Sequence, residues 1–151
     1  MNEFKALGID EDILRVIETM GFTEPTEVQK QAIPLVIALK DVIAGSATGS
    51  GKTLAFGAGI IHHVRKGSGI QALILAPTRE LAEQISEALR VFSKHKQLLV
   101  APIYGGVALN PQFSILERAD IVVGTPGRIL DHLQRGTIDF SRVKHLVLDE
   151  A

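Results

Sequence analysis

Five short runs in this chain are apolar almost throughout: DVIAG (41–45), QALILAP (71–77), LLVAPIY (98–104), ADIVVG (119–124) and HLVLD (145–149). Between them lie stretches with helical spacing of apolar residues. A strand wet on one face alternates apolar and polar residues, whereas a strand apolar on both sides must be covered on both sides. Runs of that kind, interleaved with helices, call for an α/β fold: a parallel sheet with helices on both faces. Helices are expected at 53–65, 79–93, 112–118 and 127–134, with Leu81, Ile85, Leu89 and Phe92 forming one apolar face of the second. Upstream, IDEDILRVIETMG reads as a helix capped by Asp10 and stopped at Gly21, and TEVQKQAIPLVIAL as a second helix bent or broken at Pro34. Pro102 cannot donate to a ladder, which places LLVAPIY near a sheet edge. At 151 residues the chain has the length of one domain, and no internal repeat is visible.

The run SATGSGKT, Ser46 to Thr53, follows the first apolar run and opens a helix. Gly49 and Gly51 let the backbone curl so that N–H groups point inward, a nest for an anion at a helix N-terminus. Lys52 would reach the outer phosphates and the Thr53 hydroxyl would ligate magnesium. The general pattern has Gly where this chain has Ser46, a residue small enough for the same turn. The bland alternative is a strand–turn–helix with a chance Gly-Lys-Thr.

At the other end, HLVLDEA sets Asp149 at the C-terminal end of an apolar strand, where open α/β sheets bind ligands. An aspartate there can hold magnesium through water, and Glu150 could take the proton of an attacking water. PTRELA, YGG and TPGR each sit just past a strand end. Thr78 and Thr125 suit helix N-caps, and Pro126 suits the first helical position. Arg79 and Arg128 then fall in first turns, where the macrodipole disfavours a cation by roughly 0.3–1 kcal/mol. Capping alone or phosphate ligation would each account for the pattern. His62 and His63 read as surface or helix-packing residues.

Composition narrows the partners. Net charge is −1, from 16 basic and 17 acidic residues, so no global positive field attracts nucleic acid. Aromatics are 5%, too few for a stacking platform. Nucleic-acid contact would rest on loops, backbone N–H groups and a few arginines. There is no cysteine, hence no disulfide or thiolate metal site, which fits a reducing, cytoplasmic setting. The start lacks a signal-peptide pattern, and no apolar run nears the ~20 residues that span a bilayer.

Together these motifs resemble the N-terminal RecA-like domain of DEAD-box RNA helicases, over essentially the whole chain and in the family's order. GFTEPTEVQ, Gly21 to Gln29, resembles the Q motif, with Phe4 at the upstream aromatic position and residues 1–30 forming that region. SATGSGKT resembles motif I, with Ser46 where the family usually has Ala. Pro77 to Ala82 resembles motif Ia, Gly105-Gly106 the GG motif and Thr125 to Arg128 motif Ib. Asp149 to Ala151 matches three letters of the DEAD motif.

The resemblance implies ATP and Mg2+ as cofactors. Phe4 would stack on adenine and Gln29 would read its edge. Ser46, Thr48, Gly49, Ser50, Gly51, Lys52 and Thr53 would hold the phosphates. Thr53 and Asp149 would hold the metal, and Lys52, Asp149 and Glu150 would serve catalysis. Pro77, Thr78, Arg79, Gly105, Gly106, Thr125, Gly127 and Arg128 would touch the RNA sugar–phosphate backbone without reading sequence. A second RecA-like domain of the same parent would be the other partner, with no membrane involved. The last strand ends inside the DEAD motif, so a truncated domain with an incomplete sheet and little turnover is expected. On that expectation Leu146 to Leu148 would be loosely held or paired with another chain, while the phosphate loop keeps its strand–turn–helix form. Two other functions compete: a different P-loop NTPase, such as a small-molecule kinase, and a DNA-directed helicase.

Overall fold

The computed structural model describes residues 2–45 and 51–149. The chain divides into two compact units, Met1–His63 with Val91–Lys96, and Val64–Arg90 with Gln97–Ala151.

The first unit is helical: α1 (Asn2–Ala6), α2 (Glu11–Thr19), α3 (Glu27–Ile37) and α4 (Lys52–His63). Ile13, Leu14, Val16 and Ile17 form the buried stripe of α2. Asp10 stands at the N-cap of α2 but makes no capping bond. Its carboxylate lies instead 2.8 Å from His62 Nδ1, an acidic partner that the sequence pattern did not reveal. Thr26 caps α3 through a reciprocal pair with Gln29. α3 runs unbroken through Pro34, so of the expected bend or break the break does not occur. The ring removes one helical N–H near the last turn, and burial of Ala32 and Ile33 offsets that loss. α3 and α4 approach closely at Gly59, where an added Cβ would stand 2.9 Å from the Ile37 nitrogen. His63 Nε2 meets the Ile37 carbonyl at 2.7 Å, at the end of α3. The Lys96 ammonium donates to the Ile61 carbonyl near the end of α4, where a cation is favoured.

The second unit carries β1 (Ala72–Leu75), most of α5 (Arg79–Phe92), β2 (Val100–Ile103), α6 (Asn110–Arg118), β3 (Ile121–Gly124), α7 (Pro126–Arg135) and β4 (His145–Leu148). The strands form one parallel sheet in the order β2-β3-β1-β4. Pro102 therefore lies on an edge strand, as its missing N–H requires. One face packs Leu73, Ala101, Ile103 and Val122 against Leu116 of α6 and Ile129 of α7. The opposite face is also closed, with Ala72, Ile74, Ile121 and Val123 all buried. Asp120 ties the start of β3 to its surroundings: its carboxylate accepts from Gly67 N and Leu99 N, both at 2.8 Å.

Residues 41–45 correct the sequence expectation. DVIAG is irregular, not a strand, and Ile43 is fully exposed. A strand is stabilised only by the neighbour it pairs with, and among the described residues none pairs with 41–45. The strand half of the expected strand–turn–helix is thus absent, while its helix α4 forms. HLVLD also differs from expectation, since β4 is held in a regular ladder on β1, from Ala72↔His145 to Leu75↔Leu148.

Among the described residues β4 is paired on one side, against β1. His145 N donates to Gln71 O at 3.2 Å and Asp149 N to Leu75 O at 3.0 Å, so the alternate amides of Leu146 and Leu148 face away from β1. Their side chains are exposed as well. Amide hydrogen exchange in a monomeric sample should show Val147 and Asp149 protected and Leu146 and Leu148 exchanging at least tenfold faster. Equal protection along the strand would mean that the outer edge is paired too.

Candidate functional site

Gly51 has φ +78°, the left-handed value that favours glycine, and it leads directly into α4, whose first two residues are Lys52 and Thr53. A twelve-residue helix presents its leading N–H groups and positive dipole end at that point. Gln29 packs against the same turn. Its Nε2 donates to Gly51 O at 3.2 Å, while its Oε1 accepts from Thr26 N at 2.9 Å. A Cβ at Gly51 would collide with that amide. An ammonium, a hydroxyl and helix N–H groups behind a glycine turn fit a phosphate chain with its magnesium ion. Gln29 is buried at 4% exposure and both ends of its amide are already engaged. Phe4 is also buried, at 1% exposure, which leaves no ring face for a base in this conformation. Ser46, Thr48, Gly49, Ser50 and Glu150 lie outside the described residues.

In the second unit the parallel register places Leu75, Gly124 and Ile103 level with one another. The segments that follow share one rim of the sheet: Pro77, Thr78 and Arg79 after β1, Gly105 and Gly106 after β2, Thr125, Gly127 and Arg128 after β3. Asp149, just past β4, belongs to the same rim. Thr78 Oγ1 caps α5 by accepting from Leu81 N at 3.2 Å. Thr125 occupies the N-cap of α7 but its side chain makes no capping bond.

The Arg79 guanidinium lies 4.8 Å from the centre of the Tyr104 ring and 3.8 Å from Glu83. The Tyr104 hydroxyl donates to the same Glu83 carboxylate at 2.7 Å. That hydrogen bond, and then burial, hold Tyr104 above the usual phenol range. Arg128 donates to Gln112 Oε1 at 3.1 Å and to Val107 O at 3.2 Å. Each first-turn arginine therefore has local acceptors, and these offset the dipole cost without a bound phosphate. Among the described residues no group of three His, Asp or Glu could hold a metal by itself.

The family model described as DEAD/DEAH box helicase matches residues 26–151. The chain belongs to this family. It is 46% identical over 149 residues to the probable ATP-dependent RNA helicase MJ0669 of Methanocaldococcus jannaschii, covering 98% of this chain and 41% of that protein. It is 47% identical over 153 residues to the DEAD-box ATP-dependent RNA helicase CshA of Geobacillus kaustophilus, covering 100% of this chain and 33% of that protein. The fold matches the crystal structure of a DEAD box protein from Methanococcus jannaschii with a TM-score of 0.93 at 44% identity, over 97% of this chain and 40% of that one. It matches a hypothetical ATP-dependent RNA helicase from Sulfolobus tokodaii with a TM-score of 0.85 at 38% identity, over 93% and 41%. The chain thus has the RecA-like fold of DEAD-box proteins and spans 33% to 41% of the length of these relatives. No described helix is long and apolar enough to cross a membrane.

Beside the DEAD-box motifs the fold assembles residues that the sequence pattern passed over. Gln112 of α6, at 6% exposure, accepts from Arg128 and lies 2.7 Å from His132 Nε2. Its own Nε2 donates to Tyr104 O at 3.1 Å. No sequence signal marks a lone glutamine in a short helix. Thr26-x-x-Gln29, in contrast, is a legible capping-box signature.

His132 is fully buried, with Nδ1 2.8 Å from the Thr137 hydroxyl. Gln112 Oε1 can only accept, so the neutral ring carries its proton on Nε2. Burial first, and then the positive charge of Arg128, push its pKa below 6.5, with Asp131 opposing and Arg135 adding to the effect. Between the folded and unfolded values the unfolded chain binds more protons. Stability should therefore be full above about pH 6.5 and fall as the pH drops towards the lowered folded value. Urea denaturation across that range should show the fall, and His132→Asn should flatten it.

Proposed function

We propose that this chain is the nucleotide-binding RecA-like domain of an ATP-dependent RNA helicase. The whole protein would hydrolyse ATP and separate short RNA duplexes, together with a second RecA-like domain. The observation that carries the RNA part is the shared rim, where three strand ends in register present two arginines and a glycine pair within a chain of net charge −1. Such an array grips a sugar–phosphate backbone through local donors and close approach, without reading bases. Pro77, Thr78, Arg79, Gly105, Gly106, Thr125, Gly127 and Arg128 would form that grip. The absence of cysteine suits a reducing compartment such as the cytoplasm.

On the nucleotide side, Lys52 would bind the outer phosphates, with Ser46, Thr48, Gly49, Ser50 and Gly51 lining the turn. Thr53 and Asp149 would hold magnesium, which when bound supplies charge neutralisation on the phosphates. Glu150 would accept the proton of the attacking water. Gln29 has one amide N–H and one oxygen lone pair beyond its internal bonds, and these would meet the adenine edge. Stacking of adenine on Phe4 requires that ring to be uncovered. Residues 1–151 alone would bind nucleotide with little turnover, since arginine fingers from a partner domain are worth roughly 10³–10⁵ in rate in related systems.

Adenine selectivity is the first check. The unmutated chain should bind ATP more tightly than GTP in a fluorescent-nucleotide competition. Gln29→Ala should narrow the gap by about 1–3 kcal/mol, the cost of hydrogen bonds lost to an uncharged base. Equal affinities for the two nucleotides would end the adenine reading and favour another P-loop NTPase.

Binding and chemistry should also separate. In the full-length protein Lys52→Ala should impair nucleotide binding. Glu150→Gln should leave binding intact and lower RNA-stimulated turnover by at least a hundredfold, because an amide cannot take the proton. Normal turnover in Glu150→Gln would move the base elsewhere, and equal stimulation by DNA and RNA would favour a DNA-directed helicase.

A further inference from the structure

We propose that Gln112 is a positioning residue for the RNA grip, setting the Gly105–Gly106 loop and the Arg128 guanidinium in one shared geometry. This rests on the RNA-binding function proposed above and adds a residue that does not itself touch RNA. The glycine pair lies between two carbonyls, and both are held from elsewhere in the fold. The carbonyl before the pair, Tyr104 O, accepts from Gln112 Nε2 at 3.1 Å. The carbonyl after it, Val107 O, accepts from Arg128 Nη2 at 3.2 Å. Arg128 in turn donates through Nη1 to Gln112 Oε1 at 3.1 Å. The loop, the arginine and the glutamine therefore close a ring of three hydrogen bonds across β2, α6 and α7.

The chemistry of the amide admits one arrangement. Its oxygen faces two donors, Arg128 and His132 Nε2, and its nitrogen faces a carbonyl. A flipped amide would set N–H groups against N–H groups and oxygen against oxygen. At 6% exposure the amide is largely withdrawn from water, and its bond with His132 is fully buried. His132, fully buried and anchored at its other nitrogen by Thr137, fixes the amide from behind. Arg128 would otherwise be a long side chain with many rotamers, and ordering it before RNA arrives removes that cost from binding.

The test is binding of a fluorescein-labelled single-stranded oligouridine RNA to the full-length protein with a non-hydrolysable ATP analogue, followed by anisotropy over a series of KCl concentrations. Gln112→Met keeps length and packing and removes every hydrogen bond. It should weaken RNA binding on the order of tenfold. It should also lower the slope of log K against log salt by about 0.7, the value for one single-strand phosphate contact. Arg128→Ala should lower the slope by the same amount. The double variant should have the slope of Arg128→Ala alone, because one charge contact cannot be lost twice.

A Gln112→Met protein that binds RNA as the parent does overturns the proposal. So does one whose loss simply adds to that of Arg128→Ala at an unchanged salt slope, the mark of a general packing defect. Should Gln112→Met fail to fold, Gln112→Glu serves instead. It keeps the acceptor for Arg128 and His132, sets a carboxylate on the arginine and should show the same loss of slope, an unchanged slope again overturning the proposal. Arg79→Ala and Arg128→Ala separate the two levels. If both leave RNA affinity unchanged, the RNA-binding function fails and the role of Gln112 fails with it. If both weaken binding while Gln112→Met does not, only the role of Gln112 fails.

Discussion

The parallel ladder is the constraint on which the second unit depends. Because β1, β2 and β3 run the same way and in register, Leu75, Ile103 and Gly124 end level, and the chain must turn on one rim three times. Those turns carry the arginines and the glycine pair. An antiparallel arrangement would have sent half of them to the opposite end. The register continues through the loops. Ala76 N donates to Gly124 O and Thr125 N to Ile103 O, both at 3.0 Å, so the ladder still holds the backbone as it leaves the strands. The strand ends at this rim are therefore fixed by backbone hydrogen bonds and by buried side chains on both faces, and polar contacts act on the loops beyond them.

Polar side chains tune what the ladder positions. Two buried groups do this in different ways. Asp120 anchors backbone N–H groups at the opposite end of the sheet, where β3 begins. Gln112 joins a loop carbonyl, an arginine and a histidine at the rim where β1 to β3 end. The first-turn arginines show the same economy. A cation there is disfavoured by the helix dipole. Glu83 with the Tyr104 ring for Arg79, and Gln112 with Val107 O for Arg128, make the placement tolerable before any ligand is present. These local acceptors weaken the inference from dipole cost to phosphate ligand. What remains is the convergence of the two arginines with Gly105 and Gly106 on one rim.

In the first unit the glycine turn at Gly51 and the capping box of α3 are one assembly. Gln29 closes the start of α3 and also holds the carbonyl that precedes α4. A glutamine expected from family resemblance to read a base is thus also a structural clasp. Substitutions at this position will mix stability with recognition, and comparison of two nucleotides in the same variant separates them.

Much of this was legible in the residues alone. Apolar runs without alternation specified a parallel sheet, and Pro102 specified its edge, because strand burial and a missing N–H are properties of the local sequence. Helices α4 to α7 fell within a few residues of expectation for the same reason: their apolar spacing acts within one or two turns, and Thr78 caps α5. The motif order carried the family and the candidate site residues. Tertiary structure decided the rest. DVIAG has the composition of a strand and is not one, since composition cannot supply the neighbour that a ladder needs. Pro34 could have bent or broken its helix and does not break it, since burial of Ala32 and Ile33 outweighs one lost bond. His62 found Asp10, and Gln112 found Tyr104, Arg128 and His132, only because folding brought together positions far apart in the chain. Sequence fixes what each residue can offer, and partner choice at long range belongs to the fold, because hydrogen bonds and ladders form between groups whose separation along the chain carries no local signal.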